Sequence, residues 1–142
     1  MTTFKIDATR LQETIFDTFR ELGFCCGRTG YKYAVDYITD SFDLYTAGEH
    51  SGVQIQTWYK AMAEKYNTSP NAVERALRTT IRDAVANNSS ELTNIFSESA
   101  LHNGSFGSNR NFLNGIYQYL LANCVLFGFG REINGESEVN NA

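Results

Sequence analysis

One proline, two histidines and three cysteines in 142 residues leave little material for several architectures. A single Pro beside eleven Gly excludes collagen-like and proline-rich low-complexity chains. The odd set Cys25, Cys26 and Cys124 argues for reduced structural thiols rather than a disulfide frame. Adjacent Cys25 and Cys26 lack the spacing of a zinc clamp, and His50 and His102 fall in expected loops, so no metal site is expected. No stretch approaches the roughly 18 apolar residues of a membrane span. Lys5, Asp7 and Arg10 interrupt the start of the chain with no apolar run behind them, so neither an anchor nor an export signal is expected, and the cytoplasm is the expected compartment. Catalysis is equally short of material. The histidines have no carboxylate or nucleophile at a telling spacing, and no Gly-rich phosphate loop ends in Lys-Ser/Thr. Gly128-Phe129-Gly130 lacks the strand and the third glycine of a dinucleotide fingerprint. Neither an enzyme nor a cofactor is expected.

What the chain does have is apolar mass: 42% hydrophobic and 13% aromatic residues, enough for one core. Its periodicity is helical. A first helix over about 9–22 places Leu11, Ile15, Phe19 and Leu22 at helical spacing and stops at Gly23. A second, about 31–45, carries Tyr31, Ala34, Val35, Ile38, Phe42 and Tyr45 on one stripe. Further helices are expected over 53–66, 70–86, 91–96 and 111–127, the last with Ile116, Tyr117, Leu120, Leu121, Val125 and Leu126 as core residues. No strand-period segment competes. The expected fold is all-α, a six-helix bundle over residues 1–127 followed by a disordered acidic tail, 128–142.

The third and fourth helices stand only about three residues apart, the spacing of a helix-turn-helix corner. Such a corner needs a small residue where the backbones approach, then a residue tolerant of positive φ, then an apolar residue locking the second helix down. Ala63, Asn67 and Val73 occupy those offsets, and Asn tolerates the left-handed region better than most residues. Ser69-Pro70 supplies an N-cap and a first-turn proline.

A net charge of −4 and a pI near 5.1 are unusual for a nucleic-acid binder. Distribution matters more than the sum. Between Trp58 and Ala86 five basic residues face three acidic ones, while Glu132, Glu136 and Glu138 outnumber Arg131 at the C-terminal end. At roughly 100° per residue, Asn71, Glu74, Arg75, Arg78, Thr79 and Arg82 fall in one arc of about 140° of the fourth helix. Val73, Ala76, Leu77, Thr80, Ile81 and Ala84 fill a separate arc, with Val85 a misfit on the polar side. A recognition helix presents its N-terminal half to base edges. Asn71, Glu74 and Arg75 are therefore the candidates for base readout: Arg donates bidentately to guanine and Glu accepts from the cytosine amino group. Ser69, Thr79 and Arg82 are candidates for phosphate contact.

At these residues the chain resembles the C-terminal DNA-binding domain of the stage-zero sporulation protein A family, a sporulation response regulator. The matching runs are Glu21-Leu22-Gly23-Phe24, Gly30-Tyr31-Lys32-Tyr33 with Ile38, Ala63-Glu64-Lys65-Tyr66-Asn67-Thr68, and Val73-Glu74-Arg75-Ala76-Leu77-Arg78 with Ile81. Ser108-Asn109 with Phe112 adds a weaker match. The resemblance implies an all-α effector domain on a short DNA box, with Glu74 and Arg75 reading bases and Arg78 on the phosphate backbone. Asn71-Ala72 stands where the family has Ser-Arg, and Thr79 where it has His. The segment His102 to Gly107 lacks the family's lysines. Only about ten residues precede the first helix, so a stand-alone domain without the receiver is expected.

A sequence-specific transcriptional regulator on double-stranded DNA is thus the leading expectation. Its alternative is an interaction module that binds the transcription machinery or a related regulator as co-regulator or antagonist. RNA polymerase, a sigma factor and a second copy on DNA are the candidate further partners.

Overall fold

A computed structural model describes residues 2–49, 51–87, 90–96, 107–126, 130–134 and 137–138, with side chains described over 7–49, 51–87, 90–96 and 107–123. Its helices are α1 (Ala8–Glu21), α2 (Gly30–Thr46), α3 (Ile55–Lys65), α4 (Pro70–Ala86) and α5 (Asn109–Leu126), with a 3-10 turn at Ser90–Asn94 before α5. The expected all-α class holds for the whole core. The expected fifth helix is this 3-10 segment, from which only Leu92 is buried.

The helix ends explain themselves locally. Asp7 caps α1 by accepting from the Arg10 amide at 3.1 Å. At the other end Gly23 adopts φ +89°, while the Phe24 amide donates to the Phe19 carbonyl at 2.9 Å and the Gly23 amide to Arg20 at 3.2 Å. This double closure lets the Phe19 and Phe24 rings stack at 4.6 Å, so the turn that ends the helix also starts the core. Ser108 caps α5 by accepting from the Asn111 amide, which is why α5 begins two residues before the apolar periodicity does.

Leu11, Ile15, Phe19 and Leu22 are all buried, as their spacing predicts. On α2 the buried stripe is rotated from the expected one. Tyr33, Ala34, Tyr37, Ile38, Ser41 and Phe42 face inward, whereas Tyr31, Val35 and Tyr45 are half-buried. Partners on other elements make the choice: Tyr33 meets Tyr66 edge-on at 5.3 Å, and Tyr37 meets Trp58 at 5.2 Å. In α5, Phe112, Leu113, Ile116, Tyr117 and Leu120 are buried and Leu121 is partly so, while the side chains of Val125 and Leu126 lie outside the described residues.

Tyr37 is fully buried and its hydroxyl donates to Asn114 Oδ1 at 2.7 Å, tying α2 to α5. Burial pushes its phenol up to about 12. The unfolded phenol ionises near 10, so the native state keeps its proton where the unfolded state loses it. Stability from this group is complete below about pH 10 and falls as pH rises toward 12. Urea unfolding from about pH 8 to about pH 11 should show a decline that Tyr37→Phe lessens; parallel profiles for the two proteins would assign the decline elsewhere.

The tail expectation needs correction. Gly130–Asn134 forms a strand, β2, antiparallel to β1 (Thr2–Ile6), and Ser137–Glu138, β3, pairs with β2 in the order β1-β2-β3. The register sets Phe4 opposite Glu132 and Lys5 opposite Arg131. A five-residue strand whose partner is at the other end of the chain leaves no local hairpin signal, so neither the alternation nor the acidic composition revealed it. Residues 127–129, 135–136 and 139–142 lie outside the description.

Candidate nucleic-acid interface

The corner between α3 and α4 is built as its spacing predicts. Ala63 and Val73 are buried, and Asn67, at φ 54°, is the one non-glycine residue with positive φ among the described residues. The Thr68 amide donates to the Ala63 carbonyl at 2.8 Å and the Asn67 amide reaches Glu64 at 3.4 Å, closing α3. Ser69 Oγ then accepts from the Ala72 amide at 3.1 Å with Pro70 opening the helix, so α4 starts at a defined angle. Replacing this cap by alanine removes about 1 kcal/mol.

Val73, Leu77, Thr80, Ile81 and Ala84 seal one face of α4 into the core. On the opposite face Asn71, Arg75, Thr79 and Arg82 are exposed, while Glu74 and Arg78 are half-buried. One nitrogen of Arg78 donates to both Glu74 oxygens, at 2.7 and 3.1 Å, so the expected base reader and the expected phosphate contact are paired with each other. Arg75 and Arg82 have no ion-pair partner among the described residues. Of the other cations near the corner, Lys65 is held by Asp36 at 3.0 Å, a hydrogen bond that raises its pKa. All seven residues singled out from the sequence thus lie on one surface, with Ser69 at its leading edge.

Several residues that position α4 had no counterpart in that expectation. Asn109, at the start of α5, donates to the Glu74 carbonyl at 3.1 Å and to the Tyr59 hydroxyl at 3.2 Å, bracing α4 behind its readout half. Burial raises the Tyr59 phenol, which favours the protonated hydroxyl in this bridge. Arg28 grips Asp83 through two hydrogen bonds, Nη2 to Oδ1 at 3.1 Å and Nε to Oδ2 at 3.4 Å, and ties the loop before α2 to the far half of α4. Asn87 closes the same end on the Gly23 carbonyl at 2.5 Å. Between these ties a depression of about 310 Å³ runs beside α4, lined by Arg28, Thr29, Arg75 and Thr79. Gly23 and Asn109 stood out in the sequence, but the contacts they make did not, because each joins residues far apart in the chain. The segment His102 to Phe106, whose missing lysines marked a departure, lies outside the described residues.

A scan of protein families matches residues 15–120 to the family described as Sporulation initiation factor Spo0A C terminal. The chain belongs to this family. No curated protein sequence and no solved structure matches it. The Spo0A C-terminal family is a DNA-binding, transcription-regulating effector domain of a sporulation regulator. The matched span of the Spo0A C-terminal domain contains the entire α3-turn-α4 corner and most of α5, the elements that build and brace the exposed stripe. No helix among the described residues is long and apolar enough to cross a membrane.

Proposed function

We propose that the chain recognises a specific double-stranded DNA site with α4 in the major groove and regulates transcription from it. The observation carrying this reading is the solvent-facing stripe of exposed Arg75 and Arg82 with the half-buried Glu74–Arg78 pair beside them, on a helix whose start is fixed by a capped, left-handed turn. Asn71, Glu74 and Arg75 are assigned to base edges, and Ser69, Arg78, Thr79 and Arg82 to phosphates. Phosphate contacts supply affinity that fades with salt, whereas base contacts supply discrimination. Few cations on this face imply a shallow salt dependence, close to one unit of slope per phosphate contact. Residues 1–127 are taken as the DNA-binding domain, acting in the cytoplasm without cofactor or catalysis. RNA polymerase or a sigma factor, and a second copy on an adjacent site, are proposed as further partners.

Fluorescence anisotropy tests the reading, using a duplex selected from a random pool and a scrambled control over a salt series. Wild-type protein should prefer the selected duplex. Arg82→Ala should weaken both duplexes alike and flatten the salt slope by about one. Equal wild-type affinity for both duplexes at every salt concentration would sink the proposal.

A further inference from the structure

On the side of α2 away from its N-terminus lies an open groove of about 570 Å³ with an apolar floor of Leu44, Val53, Trp58 and Ala61. Among the described residues its rim is of one sign. Asp40, Asp43 and Glu49 line it, and no Lys or Arg is among the lining residues. Two of these carboxylates are held in place: Asp40 Oδ2 accepts from Trp58 Nε1 at 2.9 Å, and Glu49 Oε1 accepts from the Ser51 amide and hydroxyl at 3.1 and 2.6 Å. Asp43 stands in the last turn of α2, which has no basic residue. A carboxylate there adds to the negative end of the helix dipole, an arrangement that disfavours the helix unless a cation lies near.

We infer that this groove docks a protein segment presenting an apolar side chain flanked by Lys or Arg. The apolar floor accounts for the anchor, and the acidic rim with the helix end accounts for the flanking cations. Nucleic acid is disfavoured, because its phosphates would meet carboxylates. The cations of a second copy's α4 stripe have no large apolar residue beside them on the exposed face, so that stripe does not supply the anchor. The inference stands whether or not α4 reads bases.

Trp58 is the chain's only tryptophan, so its fluorescence reports the groove directly. The probes are three short synthetic peptides: an amphipathic Leu/Lys helix, a Ser/Lys peptide of equal charge, and a Leu/Glu helix. The Leu/Lys peptide should shift Trp58 emission saturably and bind most tightly of the three. Asp43→Asn with Glu49→Gln, both at exposed positions, should weaken it by about tenfold. Glu13→Gln with Asp17→Asn on α1, a matched loss of charge elsewhere, should leave it unchanged. Four results would overturn the inference: no saturable shift, equal binding of the Ser/Lys peptide, equal weakening by the α1 pair, or emission that moves with protein concentration alone, which would indicate self-association.

Discussion

Gly30→Ala is expected to destabilise the protein by about 3 kcal/mol, against the ordinary gain of roughly 0.5–1 kcal/mol for Gly→Ala in a helix. Gly30 is the first residue of α2 and is buried directly against α4. A Cβ there would fall inside contact distance of the Ala76 carbonyl oxygen and Thr80 Oγ1, and 2.7 Å from the Ala76 carbonyl carbon. The obstacle is mostly backbone, so no rotamer change relieves it. Either α2 withdraws or α4 shifts, and α4 carries the stripe assigned to DNA. The expected result is therefore a midpoint of thermal unfolding lowered by about 10 °C, together with weakened DNA binding. Gly27→Ala is the control: its Cβ would meet only Cys25 Sγ, at 3.7 Å. Equal stability of the two variants would mean that α2 and α4 do not approach through Gly30.

The requirement at Gly30 illustrates which part of the molecule was legible in sequence. Caps, helix stops and the α3-turn-α4 corner rest on residues within about ten positions of one another, so Gly23, Asn67, Ser69 and Pro70 announced them. The two faces of α4 were legible for the same reason. What depended on distant partners was not. On α2 the tyrosines at 31, 33, 37 and 45 offer two aromatic stripes, and only Trp58 and Tyr66 on another part of the chain select the one that is buried. Arg28 and Asp83 are 55 positions apart, and β1 meets β2 across nearly the whole chain. Nor does arithmetic on a helical wheel reveal that Arg78 turns toward Glu74, because that depends on rotamers. The sequence placed these side chains on one face of α4 without showing which of them were already engaged.

That engagement decides how the stripe should respond to mutation. Arg75→Ala is expected to cost about 1–3 kcal/mol on the selected duplex and to relax discrimination at one base pair, leaving scrambled DNA nearly unaffected. Arg75 is exposed and has no ion-pair partner among the described residues to give up on reaching a base edge, so its contribution falls on the complex. Glu74 and Arg78 must be argued differently. A half-exposed i,i+4 helix pair of this kind is worth only about 0.3–0.5 kcal/mol, less than one good base contact, so DNA can open it at small cost. If Glu74 reads a base while Arg78 moves to a phosphate, Arg78→Ala should reduce affinity for both duplexes and Glu74→Ala should chiefly reduce discrimination. If the pair instead persists on DNA, Arg78 orients the carboxylate, and either substitution reduces discrimination by nearly the same amount as the double variant does. Anisotropy on the four proteins of this cycle separates the two cases. An Arg75→Ala protein that still distinguishes the selected from the scrambled duplex as wild type does would remove α4 from base readout altogether, whatever the pair does.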